Sequence, residues 1–278
     1  MNGGGGKFME EVSREEYINT LKQELLFIDK LCSEQNIKYF IYYGSLIGAI
    51  RHHGMIPWDD DIDIVMPRND YERFLDYFRK NDTGKYVIVS NNMDTSVPYL
   101  ISRISDKRYH LEFIKGIQHE IGVFIDIYPL DGMGNSKFIA DMHGRICYFL
   151  RKLFYVKYGF YYPKGRVLKN TVLKLLKKLL NIHRKPVVQS LLEKIAKSKS
   201  FEKSRFVNCP LWADGYITGN LPREYFDKIY RIKFEGIDVN IPAEYDKILT
   251  AIYGKYMDLP PESERIMKHF YKVYKNNP

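Results

Sequence analysis

The chain has 278 residues, of which 45% are hydrophobic and 28% charged, with a formal net charge of +9. That length and apolar content can bury a substantial core and exclude a disordered chain. Three widely spaced cysteines, Cys32, Cys147 and Cys209, exclude a complete disulfide framework and offer no CxxC spacing for zinc, so they read as free thiols.

Residues 1–10, with a run at Gly3 to Gly6, read as a flexible tail. The start lacks the charged head and apolar run of a secretory signal, and nowhere do about eighteen uncharged apolar residues occur together. A cytoplasmic protein that does not span the membrane is expected. Ser13 followed by Glu16 forms a capping box, after which Tyr17, Leu21, Leu25, Ile28 and Leu31 repeat at helical spacing, predicting a first helix to about Gln35. KYFIYYGS reads as a short buried strand ending at Gly44, and LIGAIRHHG as a helix stopping at Gly54.

WDDDIDIVMP, from Trp58 to Pro67, places Asp61 and Asp63 two residues apart among apolar neighbours. In an extended strand they share one face about 7 Å apart. Two such carboxylates in a partly buried site repel by roughly 2 kcal/mol at an effective dielectric near 20. A hard divalent cation with oxygen ligands removes that penalty. Asn69 then opens a helix to Asn81, with Tyr71, Phe74, Leu75 and Phe78 on one face. Four β-branched and aromatic runs follow, starting near Tyr86, Tyr99, Tyr109 and Gly122, and each predicts a strand. The last, GVFIDIYPL, carries Asp126 inside an apolar run, while Asp131 in PLDG reads as a turn acid.

From Ser136 the pattern turns helical and basic. Residues 142–192 hold twelve Lys and Arg and no acid, which leaves the remaining chain at about −3. VLKNTVLKLLKKLL sets Val167, Leu168, Val172, Leu175, Leu176 and Leu179 broadly on one side and Lys169, Lys174, Lys177 and Lys178 elsewhere. It reads either as an amphipathic helix lying on an anionic bilayer or as a core-packed helix with a solvated lysine face. The expected architecture is α/β (α+β): a mixed sheet core over 11–134 flanked by helices, a helical basic region over 135–205, and a segment over 206–278 packing back on the core. That last segment includes IYGKYMDLPPESER, whose tyrosines and paired prolines are expected to dock on the core.

Gly44 and Ser45 before a helix, Asp61 and Asp63 on a strand, and a later strand acid at Asp126 resemble the ordering of the nucleotidyltransferase superfamily. The run YYGSLIGAIRHHGMIPWDDDIDIVMPR, followed by FIDIYPLDG and IYGKYMDLPPESER, resembles the LicD family more specifically, a family related to the fukutin and fukutin-related domains. The resemblance implies transfer of phosphocholine from CDP-choline to a hydroxyl of a cell-surface glycan or lipid-linked precursor, such as a teichoic acid, capsule or glycolipid, with release of CMP. Transfer of ribitol or glycerol phosphate, or of a nucleotide, is the alternative on the same architecture.

Carried onto this chain, the resemblance implies that Asp61, Asp63 and Asp126, joined by Asp59, seat one or two Mg2+ or Mn2+ ions; no structural zinc is expected. Asp126 is either a ligand or the base that accepts the acceptor hydroxyl's proton. Gly44 and Ser45 at a helix N-terminus suit phosphate, with Arg51, His52 and Arg103 as further phosphate candidates. Asp60 and Trp58 are secondary candidates. Acids beside a phosphate site argue against nucleic acid as the partner. A peripheral position on the inner face of the cell membrane is compatible with the basic segment.

Overall fold

A computed structural model describes residues 10–91, 93–94, 96–114, 119–157, 170–172, 174–175, 178–179, 187–212, 219–267 and 271–276. Helix α1, Arg14–Glu34, starts where the capping box predicts, with the Glu16 N–H donating to Ser13 Oγ at 3.2 Å. Its apolar face, including Leu21, Leu25 and Ile28, is fully buried in the main core. The predicted strand before Gly44 is shorter than expected: β1 is Phe40–Ile41, and helix α2, Tyr43–Arg51, begins at once. Tyr43 makes that turn with φ of +45°, a left-handed value that costs a bulky residue about 1–2 kcal/mol.

Strand β2, Asp63–Pro67, runs straight into α3, Arg68–Lys80, and β3 (Tyr86–Val89), β4 (Ser102–Asp106), β5 (Tyr109–Phe113) and β6 (Val123–Gly134) follow. The four sequence-predicted strands after α3 are therefore present. The principal sheet has the order β1-β2-β6-β4-β3 and is mixed, since β2 and β6 are parallel while the other neighbours are antiparallel. Strand β6 lies at its centre and is buried along its whole length, as a strand covered on both faces must be.

Asp131 is not a turn acid. It lies in β6, fully buried, and accepts both Arg68 Nε and Nη2 at 2.6 Å. A buried carboxylate requires such a bidentate partner, and the partner lies 63 positions away, out of reach of any local reading.

Helices α4 (Lys137–Lys157) and α5 (Val187–Ala196) pack together around Cys147, Leu150, Phe154 and Leu192. Of the predicted basic helix, Val172, Leu175 and Leu179 are described, are helical and are exposed; Val167, Leu168 and Leu176 lie outside the described residues. Beyond residue 205 the chain returns to strand. Strand β7 (Phe206–Asn208) extends the sheet on the far half of β6, β8 (Leu221–Pro222) pairs with β7, and β9 (Ile229–Phe234) and β10 (Ile237–Pro242) form a hairpin. Its turn is Glu235-Gly236, both at positive φ, as a two-residue hairpin loop demands. Helix α6 (Tyr245–Tyr253) and strand β11 (Tyr271–Lys275) complete the chain, and β11 pairs with β5. All three cysteines are free and buried.

Glu24 on α1 is fully buried and neither carboxylate oxygen has a hydrogen-bond partner. Burial first, then Asp106, pushes its pKa well above the ordinary carboxyl range, with Lys85 opposing. Because the folded pKa exceeds the unfolded one, the native state holds a proton that the unfolded chain releases, and stability falls as pH rises above about 4.3. Glu24→Gln removes that ionisation and is expected to raise the melting temperature at pH 7 to 8 by roughly 2–6 °C. Thermal unfolding from pH 5 to 8 checks this; an unchanged pH dependence in the variant contradicts it.

Candidate active site

The parallel pairing of β2 with β6 sets Asp63 directly opposite Asp126. Asp61 precedes β2 and does not share a strand with Asp63 as the sequence predicts, yet one carboxylate oxygen each from Asp61, Asp63 and Asp126 lies within 4.8 Å of the others. Asp59, Asp60 and Asp61 make a second such group, so Asp61 belongs to both. At this separation each charged pair repels by roughly 3 kcal/mol at an effective dielectric near 20. Burial first, then Asp61 and Asp126, pushes the Asp63 carboxyl well above the usual range, and the hydrogen bond from Tyr128 only partly offsets this.

Because no strand carries Asp59 to Asp61, the loop is held from outside. Arg14 Nη2 donates to the carbonyls of Pro57 and Asp59 at 3.1 and 3.2 Å, and Tyr17 Oη donates to the Asp60 carbonyl at 2.8 Å. The β9–β10 turn supports the loop's start, with Met55 N–H donating to Glu235 Oε1 at 3.0 Å and Glu235 N–H to the His53 carbonyl at 3.1 Å. The Asp60 side chain is buried, although the residue lies in a loop.

Gly44 and Ser45 stand in the first turn of α2 and both meet the acids. A Cβ on Gly44 would lie 3.0 Å from Asp59 Oδ2, so glycine here lets a carboxylate close on the helix N-terminus. Ser45 Oγ, buried, accepts the Asp63 N–H at 2.8 Å. Its first task is thus to fix the start of β2. On the other side, Tyr128 Oη donates to Asp63 Oδ1 at 2.9 Å.

Arg103, expected to face phosphate, is buried opposite Asp126 and donates from Nε to Asp126 Oδ1 at 2.6 Å. Its guanidinium lies 3.9 Å from the Tyr99 ring centroid and 4.0 Å from that of Phe124. Nη1 is buried without a hydrogen-bond partner. This ion pair offsets part of the charge of the Asp61, Asp63 and Asp126 group and leaves the second Asp126 oxygen for a ligand role.

Arg51 and His52 sit at the end of α2. Arg51 Nε donates to His52 Nε2 at 2.9 Å, and Nη1 donates to the carbonyls of Tyr256 and Asp258 at 2.9 and 3.1 Å. The IYGKYMDLPPESER segment therefore docks on α2, as expected, and brings in Arg265, whose guanidinium lies 5.6 Å from the Trp58 ring centroid. Trp58 also meets His52 edge-on at 6.1 Å. Burial first, then Arg265, lowers the Arg51 pKa; burial first, then Arg51, lowers that of His52. Among the described residues neither guanidinium has a carboxylate partner. Sequence reasoning missed Arg265 and Tyr128. Nothing local marks Arg265, whereas Tyr128, two positions after Asp126 in a period-2 strand, shares its face and was recoverable.

The donor set is all oxygen, acidic and crowded, which fits a hard divalent cation and not zinc's nitrogen and sulfur chemistry. A central mixed sheet that brings remote acids together beside a helix N-terminus defines an α/β enzyme of the carboxylate-centred transferase class. Residues 36–144 match the family described as LicD/FKTN/FKRP, nucleotidyltransferase domain. Over 263 residues the chain is 31% identical to the lipopolysaccharide cholinephosphotransferase LicD of Haemophilus influenzae, covering 89% of this chain and 92% of that protein. The chain belongs to the LicD family. Two uncharacterized proteins, of Rickettsia typhi and Rickettsia prowazekii, share shorter stretches, 43% identical over 54 residues and 51% over 41, covering 18% and 15% of each chain.

Ser45→Ala leaves the buried Asp63 N–H without an acceptor and is expected to cost about 1–3 kcal/mol of stability. Denaturant unfolding measures it. Unchanged stability with weakened donor binding would show instead that Ser45 serves phosphate alone.

Proposed function

We propose that this chain transfers phosphocholine from CDP-choline to a hydroxyl on a cell-surface glycan or its lipid-linked precursor, releasing CMP, with Mg2+ or Mn2+ as cofactor. The observation that carries the reading is the convergence of Asp61, Asp63 and Asp126 within 4.8 Å, with Asp59 and Asp60 adjoining through Asp61. The relative named as a lipopolysaccharide cholinephosphotransferase supports the choice of phosphocholine and of an envelope glycan.

In the transfer, the acceptor oxygen forms a bond to the choline-bearing phosphorus, the bond from that phosphorus to the CMP oxygen breaks with its electron pair leaving on CMP, and the hydroxyl proton is released to water. Asp61, Asp63 and Asp126 would hold the cation, which when bound neutralises phosphate charge and orients the diphosphate for in-line attack. Tyr128 and Ser45 keep Asp63 in place, and Arg103 keeps Asp126 turned to a fixed rotamer through a charge-assisted hydrogen bond. Arg51 and Arg265, without carboxylate partners, provide a cationic surface beside Trp58 and Asp59 on which donor phosphate can be gripped.

Aromatic surface adjoins the acids as well. Tyr128, bonded to Asp63, meets Tyr43 at 5.2 Å and Trp212 at 5.1 Å between ring centroids. Tyr128 is buried, so the half-buried Tyr43 and Trp212 are the rings that would attract a quaternary ammonium by cation–π interaction and favour a choline head over an uncharged polyol.

A donor panel of CDP-choline, CDP-ribitol and CDP-glycerol, read by CMP release with a glycan acceptor, tests this directly. CDP-choline turnover is expected, abolished by chelator and restored by Mg2+. Asp63→Asn is expected to lower kcat by about 1000-fold or more with folding intact. Turnover that survives both chelation and this substitution would overturn the metal reading, and release of pyrophosphate instead of CMP would overturn the reaction.

A further inference from the structure

Helix α4 is apolar on two adjoining faces, one buried and one exposed. Ala140, Cys147, Leu150 and Phe154 are buried against the sheet and α5. On the other face Phe138 is 76% exposed, Phe149 61%, Met142 45% and Ile146 44%, with Ile139 beside them. At 100° per residue these five side chains fall within an arc of about 100°, a continuous stripe along three turns. Exposed Arg145 and half-buried Lys152 border it on one side. An apolar arc of about 200° is wider than one packing face needs, and only half of this one is covered by the fold.

The surroundings decide what covers the rest. The stripe lies at the start of the segment 142–192, which has twelve basic residues and no acid. Val172, Leu175 and Leu179 are likewise exposed, with Lys174 and Lys178 between them. Pairing two copies of this chain through the stripe would bring two acid-free cationic segments together, which like charges oppose. An anionic bilayer satisfies both features, taking apolar side chains at the depth of its acyl boundary and Lys and Arg at its head groups. No described helix is long and apolar enough to cross a membrane, so the contact is one of lying on the surface.

We propose that the Phe138, Met142, Ile146 and Phe149 face of α4 seats this protein on an anionic lipid surface. The position suits the reaction centre, because α4 packs on β6, the strand that carries Asp126. A hydroxyl carried on a lipid anchor would thus approach along the same helix that meets the lipid. The contact follows from α4 and the basic segment beside it, and stands whether or not the donor is CDP-choline.

Sedimentation of the full chain with vesicles tests it, using phosphatidylcholine alone or mixed with phosphatidylglycerol. Binding is expected to the mixed vesicles and not to the neutral ones, weakening as salt is raised. Phe138→Glu combined with Phe149→Glu is expected to weaken it by roughly tenfold or more, with unchanged circular dichroism and unchanged turnover on a water-soluble acceptor. Failure to bind mixed vesicles at low salt would overturn the proposal, as would undiminished binding by the double variant. Light scattering without vesicles supplies a further check: a dimer of the wild type that the double variant abolishes would assign the stripe to a second copy and overturn the lipid assignment.

Discussion

Carboxylate repulsion, imposed by strand register, is the constraint around which this protein is arranged. Pairing β2 in parallel with β6 fixes Asp63 beside Asp126, and the loop before β2 delivers Asp61 to the same point. Burial first, then the repulsion of Asp61 and Asp126, is recorded in the raised pKa of Asp63. The fold fixes that arrangement because a one-residue slip of β6 would move every side chain to the opposite face and take Asp126 off the face it shares with Asp63. The strain is useful only to something positive that arrives from outside.

Neighbouring residues hold Asp63 and Asp126 in place. Ser45 and Tyr128 supply neutral hydrogen bonds to Asp63, through its backbone and its carboxylate, and Arg103 offsets one charge of the group. Stacking between Tyr99 and Phe124 restricts that guanidinium to its place on Asp126. The contrast with Asp131 is instructive. There Arg68 engages both oxygens of a fully buried carboxylate, with Glu193 also within 3.7 Å of the guanidinium, and a saturated pair of that kind ties α3 to the sheet with no oxygen left over for a ligand.

Local chemistry was legible in the sequence where it acts locally. The capping box at Ser13, the helical spacing of Tyr17 to Leu31 and the β-branched runs near Tyr86, Tyr109 and Gly122 all act within a few residues, and each gives the expected element. Acid spacing named Asp61, Asp63 and Asp126 correctly as a converging set, although for Asp61 by a different route, since tethering by Arg14, Tyr17 and Glu235 replaces the predicted strand. The β9–β10 hairpin was also open to reading, as two β-branched runs flank Glu235-Gly236, but the basic helical pattern before it drew attention away. What lay beyond reach was long-range pairing. Arg68 with Asp131, Arg103 with Asp126 and Arg265 with Trp58 join residues 23 to 207 positions apart, and no periodicity encodes such partners.

Whether these acids seat a cation is tested most directly by anomalous X-ray scattering from crystals of the full chain grown with Mn2+. A manganese peak bonded to carboxylate oxygens of Asp61, Asp63 and Asp126 is the predicted result. Crystals saturated with Mn2+ that show no peak between these three side chains, or that show them swung apart with the ion bound elsewhere, would contradict it.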